Sequence, residues 1–220
     1  QSNTGPFISK GDINGDGKED FYIGGGSGQS GTLYVQSESG FVNHTPKSFQ
    51  LEKGKEDAES IFFDFDNDND LDLYVVSGGN EYGENSSYYA DRLYINNGKG
   101  DFQKLDTPVL NSFPKSGKSV TIIDFDQDGD NDILVGNRII PHNYPKFSPS
   151  ILYENDNGIL KNVTQDIVPE LETFGLVNSI ITTDFNNDGW QDFIAVGEWT
   201  PIGIFENKNG KFNLLSTQET

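Results

Sequence analysis

Apolar and polar residues alternate along this chain in short runs, and the runs recur in a fixed order. FYIGG from Phe21, LYVVSGG from Leu73, ILVG from Ile133 and FIAVG from Phe193 each follow an acidic loop. SIFF from Ser60, SVTII from Ser119 and SIITT from Ser179 precede the last three loops, and a weaker run around Phe7 and Ile8 precedes the first. Brief alternating runs rich in β-branched and aromatic residues predict half-buried strands. Each copy continues into a further strand and hairpin: GTLYVQSESGFV from Gly31, DRLYINNGKGDFQKL from Asp91, SILYENDNGILKNV from Ser150 and IGIFENKNGKFNLL from Ile202. Asn, Gly, Asp and Ser between apolar runs supply the turns. No stretch carries a helical apolar period beyond a turn or two, so the expected class is all-β.

The unit therefore reads as four short antiparallel strands in a meander, copied four times. Starts at Asp12, Asp64, Asp124 and Asp184 lie roughly fifty to sixty residues apart, the sequence signature of propeller blades. A single β-propeller segment is expected over residues 1–220, with blades at approximately 5–43, 57–105, 117–164 and 177–216. The chain has no Met and opens on Gln, which favours a processed or excised piece.

The acidic loops read DINGDGKED, DFDNDNDLD, DFDQDGDND and DFNNDGWQD. Calcium is a hard cation that takes about six to eight oxygens at about 2.3–2.6 Å, and alternate residues of a curled loop can aim oxygens at one centre. Positions 1, 3 and 5 are Asp12, Asn14 and Asp16; Asp64, Asp66 and Asp68; Asp124, Asp126 and Asp128; and Asp184, Asn186 and Asp188. Position 7 (Lys18, Asp70, Asp130, Trp190) has no consistent side chain, which suits a backbone carbonyl ligand. Position 9 is Asp20, Asp72, Asp132 or Asp192. Position 6 is Gly17, Asn69, Gly129 or Gly189, types that tolerate left-handed backbone. An EF-hand would need a Glu at position 12 and flanking helices; Ile23, Val75, Val135 and Ala195 stand there instead. The expectation is up to four calcium ions, one per β-hairpin loop.

Charge agrees with this reading. The net charge is −20, and much of the acidity lies in the loops, which disfavours a nucleic-acid partner. Cysteine is absent, so disulfides, thiol catalysis and Cys zinc sites are excluded. No apolar run has transmembrane length and the residues shown hold no signal peptide. Loops of this kind in secreted modules fill at calcium of order 0.1–1 mM, so a secreted, extracellular or outer-membrane-surface location is expected.

DFDNDNDLDLYVVSGG resembles the FG-GAP, or VCBS, repeat of integrin α-subunit propellers and many bacterial surface proteins. GDINGDGKEDFYIGGGSGQSGTLYVQ, SGGNEYGENSSYYADRLYINNGKGDF and DFNNDGWQDFIAVGEWTPIGIFEN are similar to the propeller of the ASPIC/UnbV, or cartilage acidic protein-like, family. That resemblance implies a longer propeller of about seven or eight blades, so that this chain is an arc completed by the remaining blades of a parent chain. The carboxy-terminal ASPIC/UnbV module is not in the sequence.

The interval from each loop to its third strand is longer in the second and third units (Asp64 to Leu93, Asp124 to Leu152) than in the first and fourth (Asp12 to Leu33, Asp184 to Ile204). The two insertions are expected opposite the ions, where Tyr82, Tyr88, Tyr89, Arg138 and Tyr144, with Trp199 nearby, form a candidate surface for a protein or glycan. The competing reading is that these side chains pack the insertions onto the blades. His44 and His142 stand apart from any nucleophile. The sequence thus points to a calcium-binding, non-catalytic scaffold or interaction module at the cell surface. The alternatives are a carbohydrate-binding or lyase-like propeller, or a purely structural component of a surface complex.

Overall fold

A computed structural model describes residues 7–215. The expected start of the first blade at residue 5 and end of the fourth at residue 216 lie outside that range. Among the described residues, sixteen strands form four antiparallel four-stranded sheets, each with its strands in chain order. The first sheet holds β1 (Ile8–Gly11), β2 (Asp20–Ile23), β3 (Thr32–Ser37) and β4 (Gly40–Asn43). The second holds β5 (Glu56–Phe63), β6 (Asp72–Gly78), β7 (Arg92–Ile95) and β8 (Gln103–Lys104). The third holds β9 (Ser116–Ile123), β10 (Asp132–Ile139), β11 (Ile151–Asp156) and β12 (Ile159–Asn162), and the fourth β13 (Leu176–Thr183), β14 (Asp192–Glu198), β15 (Gly203–Asn207) and β16 (Phe212–Leu215). The class is all-β, in blades of the propeller type.

In a meander the first and third connections share one end of the sheet, so each acidic loop lies beside the last hairpin of its own blade. The pair formed by the first two strands is bulged in three blades, near Asp57, Asn137 and Val177, at the end away from the acidic loop.

The described residues form two compact units, divided between Pro114 and Lys115. In the first unit, Tyr22 and Leu33 of blade one pack on Leu73, Val75 and Tyr94 of blade two, with Ile13, Phe49 and Phe102 completing the core. In the second, Leu134 and Leu152 of blade three meet Phe193, Ala195 and Phe205 of blade four around Phe125, Val168 and Leu171. Short helical turns in the connections plug both cores: Phe49 comes from α1 (Lys47–Gln50), and Val168 and Leu171 from the turns after β12.

Register equivalence between repeats exposes an asymmetry. Leu73 and Tyr94 of blade two are fully buried, as are Phe193 and Phe205 of blade four. Their counterparts in blade one, Phe21 and Tyr34, line a depression with Ile8, Ile23 and Phe41, and Ile8 and Phe41 are exposed. Blade four leaves its opposite face open, with Ile181 and Val196 exposed and Ile181 in register with Ile194. Among the described residues no helix is long and apolar enough to cross a membrane.

Candidate metal centres

Each loop curls through two left-handed residues. Position 6 has φ of 81° at Gly17, 70° at Asn69, 93° at Gly129 and 90° at Gly189. Position 4 is left-handed as well, at Gly15, Asn67, Gln127 and Asn187, which the residue types alone did not single out. The position-1 carboxylate then accepts amides from across the curl: Asp16 and Gly17 donate to Asp12 at 3.1 and 2.7 Å, and Asp188 and Gly189 to Asp184 at 3.1 and 3.0 Å. Side chains at positions 3 and 5 are held by the amide two residues on, as in Asp16 N to Asn14 Oδ1 at 3.0 Å and Asp130 N to Asp128 Oδ1 at 2.8 Å.

This curl converges oxygens. In the second loop, carboxylate oxygens of Asp64, Asp66 and Asp72 lie within 4.8 Å of one another, and in the third those of Asp124, Asp126 and Asp128 do so. Oδ1 of Asp124 and Oδ1 of Asp70 are buried with no hydrogen-bond donor among the described residues. The electrostatics follow. Burial, then Asp68, pushes Asp70 up to about 6. Burial pushes Asp72 up to about 7 and Asp132 up to about 8, against the amides that stabilise their ionised forms. Asp66 and Asp126 are raised by burial and then by Asp68 and Asp128 respectively, and Asp192 chiefly by burial. Asp12 moves the other way: burial opposes the shift, but the amides of Gly17 and Asp16 outweigh it. Crowded, partly dehydrated carboxylates of this kind are what a hard cation relieves.

Position 9 has a second task. Asp20, Asp72, Asp132 and Asp192 open the second strand of each blade and are buried. Oδ2 accepts the position-2 amide of Ile13, Phe65, Phe125 or Phe185, and Oδ1 accepts the amide of Gln36, Asn96, Asn155 or Asn207 in the third strand or its hairpin. The carboxylate therefore latches the loop to its own hairpin whether or not it also meets a metal. At position 7, the side chain of Lys18 pairs with Asp16 at 3.6 Å and that of Asp130 accepts Asn157 N at 2.6 Å, while the backbone amide of Trp190 donates to Asp188 at 2.9 Å, so the position makes no common side-chain contact across the loops.

Sequence reading missed the buried Asn that follows. Asn96 Nδ2 donates to Ile13 O of the preceding blade at 2.8 Å, and Asn207 Nδ2 to Phe125 O at 2.8 Å. Their Oδ1 atoms accept Gly100 N and Gly210 N of their own hairpins. The signal was present as an Asn followed by a Gly within the hairpins INNGKG and ENKNG.

The candidate partner residues divide between the two units. In the first, Tyr82 stacks on Tyr88 with ring centroids 4.2 Å apart, and Tyr89 is buried with its hydroxyl donating to Tyr82 O at 2.9 Å. Gly54 lies flat under Tyr88, where a Cβ would come within 2.5 Å of the ring. These tyrosines fold their insertion onto itself. In the second unit, Arg138 pairs with Glu198, Tyr144 Oη donates to Glu198 Oε2 at 3.2 Å, and Trp199 Nε1 donates to Tyr144 Oη at 2.8 Å.

Four-stranded meander blades carrying acidic loops define a repeat protein of the propeller-blade class. The FG-GAP-like repeat matches residues 12–75 and 64–135, more than half of the chain, which belongs to that family. No curated protein sequence matches it. Among solved structures it is similar to an Agrocybe aegerita lectin described as recognising non-reducing terminal N-acetylglucosamine, at 16% identity and TM-score 0.56, over 93% of this chain and 49% of that one. The V. cholerae biofilm matrix protein Bap1 gives 17% identity and TM-score 0.45 over 95% and 30%, and a Bacillus licheniformis rhamnogalacturonan lyase 10% and 0.49 over 93% and 49%. The chain spans about half the length of these structures or less.

Proposed function

We propose that the chain is a calcium-binding, non-catalytic interaction module of a secreted or cell-surface protein. The observation that carries this is the convergence of carboxylates in the second and third loops within 4.8 Å. The donors are all oxygens, as a hard cation requires, and the buried position-1 oxygen Asp124 Oδ1, with no hydrogen-bond donor among the described residues, fits coordination better than protein hydrogen bonding. The ligands would be the side chains at positions 1, 3, 5 and 9 with the carbonyl of position 7, up to one ion per loop. Calcium would supply charge and cross-linking of the loop.

Further support is chemical. The arginines, Arg92 and Arg138, are committed to Asp57 and Glu198, so neither is set to neutralise a uronic acid as a lyase would need. Acidic loops suited to extracellular calcium favour a location outside the cell. The blade-specific stretches at 11–36, 77–102 and 184–207 favour kinship with ASPIC/UnbV propellers within the family. The open apolar faces of blades one and four are where further blades of a parent chain would stack. The partner is a protein or a glycan, and the lectin that shares the fold makes glycan a class to test.

Calorimetric titration of chelator-treated protein with calcium tests the proposal. Two to four sites are expected, with the fourth loop weaker than the third because Asn186 replaces a carboxylate and its Nδ2 is bonded to Asp188 at 2.9 Å. Fewer than two sites per chain at millimolar calcium overturns it.

A further inference from the structure

Trp199 is the most exposed large side chain in the neighbourhood of β14, at 82% of its free surface. It also sits at φ 57°, a left-handed conformation that a bulky residue adopts only when its surroundings force it. The surroundings do so. Gly197 lies so close to the neighbouring strand that a Cβ would stand 1.9 Å from Leu176 O, and Thr200 Oγ1 donates to Phe174 O at 2.9 Å. Clamped on both sides, the turn presents the indole outward.

The indole is also fixed in orientation. Its Nε1–H donates to Tyr144 Oη, which donates in turn to Glu198; Glu198 is held by Arg138, with Nε at 3.1 Å, and by Asn178 Nδ2 at 3.4 Å. Tyr144 stands on a small hairpin closed by Ile140 N to Lys146 O at 3.0 Å and by the Ile139–Phe147 bridge. The chain of bonds tethers the edge of the ring and leaves its faces bare. Packing does not account for this: a Trp that served the core would be buried, and one of no consequence would not need a strained turn and a four-residue hydrogen-bonded support.

We propose that Trp199, with Tyr144, Arg138 and Glu198, forms a binding site for neutral hexopyranosyl units of a glycan. A pyranose ring has one flat apolar face of C–H groups, which stacks on an exposed indole, and a rim of hydroxyls that both donate and accept. Arg138 and Asn178 offer donors and Glu198 acceptors at the edge of the ring. A peptide ligand would call for a row of side-chain pockets or a free strand edge, and an anionic glycan would meet a chain of net charge −20 whose Arg138 is already neutralised. The inference rests on the interaction-module reading and names its ligand class.

The chain contains Trp190 and Trp199, so its indole N–H groups give two resolvable NMR signals. Labelled protein in saturating calcium is titrated with millimolar chitotetraose, cellotetraose and mannotetraose, and with tetragalacturonate as the anionic control. The expected result is a saturable shift of the Trp199 signal with at least one neutral oligomer and little movement of Trp190. Trp199→Ala should abolish it and Arg138→Met weaken it at least tenfold, with melting and calcium stoichiometry unchanged. Tyr144→Phe, which releases the ring without removing it, should weaken binding and move the indole signal in the free protein. No shift with any neutral oligomer, tighter binding of tetragalacturonate, or full binding by folded Trp199→Ala overturns the proposal. Calcium stoichiometry measured on the same samples separates that failure from failure of the calcium-module reading.

Discussion

At the scale of single residues, loop carboxylates that look alike in sequence do different work. Asp132 accepts Phe125 N at 3.2 Å and Asn155 N at 2.8 Å, so its oxygens are structural. Asp126 receives Asp128 N at a long 3.3 Å, and burial, then the neighbouring Asp128, raises its pKa. Asp132→Ala strands two buried amides, each worth about 1–3 kcal/mol, and should destabilise the protein in calcium and in chelator alike. Asp126→Ala should cost stability in calcium only, and in chelator should be neutral or slightly stabilising because a repelled charge has gone. Thermal melts of both variants with and without chelator check this. An Asp132→Ala variant of unchanged stability in chelator would show that position 9 is only a ligand.

At the scale of elements, the repeat was legible because a strand period of two and a loop of fixed length survive in sequence whatever their surroundings. The second strands begin at Asp20, Asp72, Asp132 and Asp192, where the loops end. What could not be read depends on contact between elements. The turn carrying Phe49 is too short for a helical period and exists because its ring fits between Tyr22, Tyr94 and Phe102. The grouping of Arg138, Tyr144 and Trp199 joins two blades, while Tyr89 is buried and Tyr82 and Tyr88 stack on each other, Tyr88 resting against Gly54. The Asn clasp was missed for the same reason: its acceptor is 83 residues away at Asn96 and 82 away at Asn207. Asn207→Ala removes a buried bond between blades and leaves Phe125 O and Gly210 N without it, so a loss of about 1–3 kcal/mol is expected. Gln36, the blade-one counterpart, has no preceding blade to clasp in the described residues, and Gln36→Ala should change stability by no more than about 0.5 kcal/mol. Equal effects of the two substitutions in urea unfolding would remove the clasp from the account.

At the scale of the whole molecule, a net charge of −20 on 220 residues is a standing repulsion concentrated in the loops. On the proposed calcium reading, ions would act on this repulsion locally and would recognise only the folded loops, so their binding would be folding free energy. At free calcium about ten times the dissociation constant, each independent site adds about 1.4 kcal/mol. Chelation should therefore lower the melting temperature by several degrees or more. Sodium chloride at molar concentration should recover only part of that, because screening weakens exposed repulsion more than repulsion that reaches buried carboxylates such as Asp72 and Asp132. Magnesium should recover less than calcium at equal concentration, since it demands near-ideal octahedral geometry at about 2.0–2.1 Å and sheds water reluctantly, whereas these loops offer a wider, irregular oxygen set. Differential scanning calorimetry in calcium, magnesium, salt and chelator ranks the four conditions. A melting temperature indifferent to chelation, or restored equally by magnesium, would mean that the loops keep their curl through the backbone bonds of positions 1 and 9 alone.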